Sequence, residues 1–283
     1  MKFHTRLLVD VTIFLLALLL CILISIFEFP PELGVYGNDK TISYPHKHSL
    51  SLYVLMPIVC FAPAIVIVII ETSIQYFTHD LSNRFNKVSI LGRFQFKGHI
   101  IGSYIFCGIH LQSMIFTFLI TLFLKHRVGR LSPNFLALCI LNTSDPLPSK
   151  GFIDNFGRFC QSSSNYILQG RFSFPCIHTA CTVSAVGILI LYLHFRLKKW
   201  TYLQSPLILV YLLLIAVAIY VGSLRIITYW NHPTDILASF LVGTLTAIIF
   251  FYQYSLGNIS CAIGFNSESV TYLDFSNRNQ IVL

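Results

Sequence analysis

Between two long apolar runs the chain reads Ser223-Leu224-Arg225-Ile226-Ile227-Thr228-Tyr229-Trp230-Asn231-His232-Pro233-Thr234-Asp235. Arg225, His232 and Asp235 offer an anion clamp, an imidazole and a carboxylate able to orient it. These are the parts of nucleophilic and acid–base catalysis. Ionisable groups at a membrane boundary are a candidate functional site. Two further boundaries carry matching groups: Lys125, Arg127 and Arg130 follow one apolar run, and His178 opens another. An arginine fork and a lysine point charge together suit a phosphate. At a bilayer surface, that chemistry fits a lipid with a phosphate headgroup. Each cluster alone reads as an ordinary membrane boundary; their shared side is what joins them.

The elements that must position these groups are membrane helices. Of 283 residues, 55% are hydrophobic and 11% charged, against about 25% charged in a soluble domain. The mean hydropathy is +0.72. A spanning helix needs about 20 apolar residues, and six runs qualify, at 7–27, 52–71, 99–124, 177–196, 205–222 and 235–254. The first lacks a small-residue cleavage site and reads as an uncleaved span. The expected fold class is all-α, a polytopic membrane protein. It divides into two spans and an inner loop (1–98), a four-span core (99–254) and a tail (255–283). The net charge of +8 is scattered and forms no basic stripe, so no nucleic-acid partner is expected. Lys and Arg in the short loops put both termini in the cytoplasm. The loop 125–174 runs against that rule, with Lys125, Arg127, Arg130, Lys150, Arg158 and Arg171 on the outer side. The spans themselves are almost free of charge, which argues against an ion pathway.

The first outer loop, 28–51, is turn-rich, and its acids Glu28, Glu32 and Asp39 read as solvated. Pro57 and Pro63 should kink span two. The inner loop 72–98 reads as an ordinary inside loop, with contact to the anionic leaflet as the alternative. His99 and His110 read as packed helix histidines, without ligand partners at metal spacing. In the outer loop, Cys139 and Cys160 are expected to pair on the oxidising side. Asn142 heads a glycosylation sequon there. The terminal Ile281, Val282 and Leu283 are a weak match to a PDZ-binding end.

The three boundary motifs together resemble the type 2 phosphatidic acid phosphatase superfamily, the lipid phosphate phosphatases. That family has six spans and three outer-face motifs: Lys-x6-Arg-Pro, Pro-Ser-Gly-His and Ser-Arg-x5-His-x3-Asp. Order, spacing and topology match over nearly the whole chain, and the residues match in part. Lys125 and Pro133 fit the first motif, with Ser132 at the arginine position. Pro175 and His178 fit the second, with Cys176 for serine and Ile177 for glycine. Arg225 and Asp235 fit the third, with Leu224 for serine and Asn231 at the histidine position.

The resemblance implies the roles. The third-motif histidine attacks phosphorus, its aspartate orients it, and the second-motif histidine protonates the leaving alkoxide. Lysine, arginines and the Ser-Gly backbone hold the phosphate oxygens. The departures fall on that chemistry. An asparagine amide is no nucleophile, Ser132 removes a cation, and Ile177 adds a β-branched side chain where glycine admits the phosphate. His232, one residue along, is the candidate substitute nucleophile, although one residue on a helix is about 100° of rotation.

The pair Asn231-His232 also resembles the phospholipid phosphatase-related, or plasticity-related, branch, regarded as lacking phosphatase activity. The expectation is therefore a catalytically impaired plasma-membrane protein. It would bind phosphorylated lipid through Lys125, His178 and Arg225, modulate phospholipid signalling, and need no cofactor or metal. An active phosphatase on phosphatidate, lysophosphatidate or sphingosine phosphate is the alternative.

Overall fold

The computed structural model describes residues 3–27, 30–48, 51–78, 87–90, 94–139, 151–154, 159–160, 164–198 and 200–264. Its long helices are α1 (Phe3–Phe27), α2 (Leu52–Thr78), α3 (Gly98–Val128), α6 (Ile177–Leu197), α7 (Gln204–Ile227) and α8 (Pro233–Gly264). Short helices α4 (Phe135–Cys139) and α5 (Ser164–Gly170) lie between α3 and α6. Each long helix holds a stretch long and apolar enough to cross a bilayer, within a few residues of the predicted runs: Leu8–Phe27, Leu52–Ile74, Gly102–Val128, Ile177–Leu197, Thr201–Ile227 and Pro233–Gln253. In hydrocarbon each backbone group must bond within its own helix, so apolar length alone selects these elements.

The most buried span is α6, which packs against α2, α3, α7 and α8, while α1 leans on α3. Small residues permit the closest approach. A Cβ on Gly243 would lie 2.5 Å from the Ala180 carbonyl, so α8 runs nearly backbone to backbone with α6. Hydroxyl pairs tie α3 to both of these helices, Ser113 to Ser184 of α6 at 2.8 Å and Thr117 to Thr246 of α8 at 2.7 Å. Small side chains and interhelical hydrogen bonds drive association where lipid offers no hydrophobic gain.

α2 runs through both of its prolines. Pro63 has no N–H to give the Val59 carbonyl four residues earlier. His110 of α3 meets this deficit, its Nε2 lying 3.1 Å from the Val59 and Cys60 carbonyls. The histidine is a packed one, as expected, and its task is to mend the α2 ladder. The side chain of His99 lies outside the described residues.

Two small sheets join the helices. β1 (Val35–Tyr36) pairs antiparallel with β4 (Phe152–Ile153). Strands β2 (Lys87–Ile90) and β3 (Phe94–Lys97) form a hairpin that leads directly into α3. The first connection, read from sequence as a plain turn-rich loop, is therefore a structured strap. It packs Val35 and Ile42 with Leu131, Phe135, Ile153 and Phe159 into a cap at one end of the bundle. A disulfide joins Cys139 and Cys160 in this cap. Of the acids expected to be solvated, Glu32 is 66% exposed and faces Arg171 at 3.6 Å. Asp39 instead caps a short 3-10 turn, accepting from the Thr41 N–H at 2.8 Å. Glu28, Asn142 and the terminal Ile281, Val282 and Leu283 lie outside the described residues.

The spans are less free of charge than the sequence suggested. At the end of the bundle opposite the cap, Glu71 of α2 is 1% exposed and paired with Arg196 of α6. Arg196 Nε donates to Glu71 Oε1 at 2.6 Å, its Nη2 donates to Oε2, and Tyr192 donates to Oε1 at 3.1 Å. Gly102 of α3 leaves room for this carboxylate, since a Cβ there would stand 2.6 Å from Oε2.

Candidate functional site

The cap end gathers all three motifs. α3 stops because Gly129 takes a positive φ of 60°, available cheaply to glycine, while its N–H returns to the Lys125 carbonyl at 3.1 Å. Lys125 thereby sits in the last turn with its ammonium on the Phe172 carbonyl. Cys176, Arg225 and Asp235 are close enough to act on it electrostatically. Beyond Gly129 the chain turns across the bundle. The Ser132 N–H donates to the Gly170 carbonyl at 2.8 Å, and its hydroxyl donates to Asn134 Oδ1 at 2.7 Å. Ser132, at the family's arginine position, is 1% exposed and turned to a neighbouring amide.

The second motif opens α6. Cys176 is its N-cap. The Cys176 N–H donates to Ser239 Oγ at 2.8 Å, so a backbone donor of the Pro-Ser-Gly-His pattern is engaged by a side chain of α8. Cys176 Sγ accepts from Thr179 Oγ1 at 3.4 Å and lies within electrostatic reach of the Arg225 guanidinium. His178 stands in the first turn, partly exposed, its carbonyl accepting from Thr182 Oγ1 at 2.8 Å.

The third motif closes the site. After α7, Tyr229 takes φ 60°, a strained conformation for a side chain without glycine's freedom. That reversal folds the next two residues back, and the N–H groups of Trp230 and Asn231 meet the Arg225 carbonyl at 3.1 and 3.3 Å. Asn231 is 2% exposed. Its Oδ1 accepts from Arg225 Nε at 3.0 Å and its Nδ2 donates to the Ser173 carbonyl. Asp235 is fully buried. Its Oδ1 takes Arg130 at 2.7 Å, and its Oδ2 accepts from Ser173 Oγ at 2.5 Å and from the His232 N–H at 2.8 Å. The carboxylate thus meets the backbone of His232. The ring of His232 places Nε2 3.2 Å from the Leu131 carbonyl.

Burial, and next the Arg130 charge, push the His232 imidazole below its ordinary range, against the opposing pull of Asp235, the Leu131 carbonyl and Asp39. The folded protein therefore binds this proton less readily than the unfolded chain, whose histidine titrates near 6.5. Stability should fall as the pH drops below about 6.5 and through the lower folded value. His232→Gln, which can still donate to Leu131, is expected to flatten that acid limb in melting temperature measured against pH.

Several members of the site had no signal in the sequence. Ser173 and Ser239 are ordinary serines until the fold brings them to Asp235 and Cys176. The strap contributes too. Tyr44 stacks on Tyr229 at 4.6 Å, Lys47 Nζ sits 4.5 Å above the same ring, and Trp230 Nε1 donates to the Lys47 carbonyl at 2.9 Å. Trp230 in turn lies 5.2 Å from the Arg225 guanidinium, within cation–π range.

The chain is also similar in sequence to known proteins. A family model described as PAP2 superfamily matches residues 106–258. The chain is 31% identical to phospholipid phosphatase 1 of Rattus norvegicus over 242 residues, covering 85% of this chain and 81% of that one. It is 29% identical to phospholipid phosphatase 2 of Bos taurus over 243 residues, 85% and 79% of the two chains. A putative phosphatidate phosphatase of Drosophila melanogaster is 28% identical over 253 residues, 85% and 66% of the two chains. No solved structure matches.

Proposed function

The chain belongs to the PAP2 superfamily, and on that premise we propose that it is a catalytically impaired lipid-phosphate-binding membrane protein. The observation that carries this reading is Asn231. It stands at the nucleophile's position, buried, with its oxygen on Arg225 and its amide nitrogen on Ser173. An amide nitrogen has no free lone pair to attack phosphorus, and both ends of this one are engaged. The aspartate that would orient a nucleophilic ring is held instead by Arg130, Ser173 and a backbone N–H. Lys125 and Arg225 are the retained cations that would meet a phosphate in exchange for their contacts to Phe172 and Asn231, with His178 beside them in motif order. By the loop charges, the cap end is the outer face and the tail is cytoplasmic. The plasma membrane follows from the family resemblance.

Binding tests it. Purified protein is expected to bind lysophosphatidate, and Arg225→Ala to weaken that binding about tenfold or more, since a charge-assisted contact to phosphate contributes about 1.5–3 kcal/mol. An affinity that Arg225→Ala and Lys125→Ala leave unchanged removes the proposed pocket.

The second reading is turnover, favoured by relatives that carry the name phospholipid phosphatase. It needs His232 as nucleophile. Its ring nitrogen faces the Leu131 carbonyl, and phosphate release lost in His232→Ala would establish it.

A further inference from the structure

Arg225, a cation assigned to the phosphate, is 9% exposed. The partly exposed indole of Trp230 lies against it, 5.2 Å from the guanidinium carbon. The strap holds that indole from the other chain segment. Trp230 Nε1 donates to the Lys47 carbonyl at 2.9 Å, and the His46 ring meets the indole edge-on at 5.5 Å. One residue earlier, Tyr44 stacks on Tyr229 and Lys47 Nζ lies over the same ring. Tyr229 carries the φ of 60°, and such a conformation persists only where its surroundings impose it. The strap thus helps to impose the turn that sets Trp230 against Arg225.

This hold is local. Ile42 is anchored in the cap core, and the Tyr44 N–H donates to the Pro133 carbonyl at 3.0 Å. From Tyr44 to His48 every residue is exposed. The contacts of these exposed residues to the turn are one hydrogen bond and a few ring contacts, each of which can open without unfolding a helix. A phosphate oxygen is also a stronger partner for a guanidinium than an aromatic face, because its hydrogen bond carries full charge attraction. An entering headgroup can therefore take the place of the indole.

We propose that Trp230 is a gate to the lipid-phosphate site, latched by the strap through the Lys47 carbonyl and the His46 ring, and that a phosphorylated headgroup reaches Arg225 only with the latch open. The gate rests on the lipid-phosphate-binding reading and adds a closed state to it. A ligand that binds only the open state has its affinity reduced by the fraction of protein that is closed. Weakening the latch should therefore strengthen binding, whereas removing part of a binding platform would weaken it.

Trp230→Phe keeps a ring beside Arg225 and loses the N–H that the Lys47 carbonyl accepts. In the full chain in detergent, this variant is expected to bind lysophosphatidate about fivefold more tightly, the worth of one ordinary hydrogen bond. The gain should lie in the association rate, with dissociation unchanged. Equal or weaker binding by Trp230→Phe overturns the gate. A second measurement leaves Trp230 in place. The chain has two tryptophans, and Trp200 lies beyond the opposite end of α6, so Trp200→Phe makes Trp230 the one indole emitter. Its emission is expected to shift to the red as lysophosphatidate saturates the site, because the indole moves into water. Saturation with unchanged emission overturns the gate. Binding that Arg225→Ala weakens, without either Trp230 effect, removes the gate alone. Binding that neither Arg225→Ala nor Lys125→Ala changes removes the reading and the gate with it.

Discussion

Asn231→His alone is expected to leave phosphate release from phosphatidate at background. The substitution supplies an imidazole at the nucleophile's position, yet two clamp losses remain. Ser132 gives its hydroxyl to Asn134 where the family has an arginine, and Ile177 follows a Cys176 N–H engaged by Ser239. Losing one preorganised charge-stabilising contact costs about 10²–10³ in rate, so two cost about 10⁴–10⁶. On the proposed reading the natural chain also lacks the nucleophile, which elsewhere is a loss on the order of 10⁶. Combining Ser132→Arg, Cys176→Ser, Ile177→Gly and Asn231→His should raise release above background. Phosphate release from detergent-solubilised phosphatidate by the single and combined variants checks this. Strong turnover by Asn231→His alone would show that the clamp is intact without Ser132 and Ile177 being changed.

The second large effect is on stability. Glu71→Ala is expected to destabilise the fold by about 3 kcal/mol, because removing one partner of a buried ion pair leaves the other uncompensated, at a typical 3–5 kcal/mol. The lower end applies because the Arg196 side chain is 23% exposed and water can reach it. Replacing both partners, Glu71→Leu with Arg196→Leu, should recover most of the loss, since a hydrophobic pair of similar size is often neutral. Denaturant unfolding in detergent measures both. Equal destabilisation by the single and double variants would show that the pair contributes attraction well beyond the cost of its burial.

The spans were legible because apolar length is a local property that hydrocarbon enforces residue by residue. The site was legible in outline because its motifs have fixed spacings, which identified Lys125, His178, Arg225, Asn231 and Asp235 as one group. The partners of these residues were not. Arg130 reads from sequence as one of the boundary cations on that side, and only the fold pairs it with Asp235, 105 positions away. Arg130 and Arg171 are two of the loop cations that ran against the orientation rule, and both have partners at the cap, Asp235 for one and Glu32 for the other. Likewise Glu71 and Arg196 each stood at the edge of an apolar run, and nothing in either run announced the other. The strap misled for a related reason: β1 is two residues long, too short for alternation to show. His232 looked like the nucleophile by residue type, but the Arg225-to-Asp235 spacing puts Asn231 at that position, and Asp235 meets His232 through its backbone N–H.

The proposed site holds a phosphate headgroup without cleaving it. The direct measurement is one in which binding and chemistry are read from the same sample. Protein in excess is mixed with lysophosphatidate radiolabelled in its phosphate, then separated from free lipid and assayed for released phosphate over time. The account predicts label that stays with the protein as intact lipid, with no release above the protein-free control and no change in His232→Ala. Free phosphate appearing from the bound fraction, and lost in His232→Ala, would contradict it.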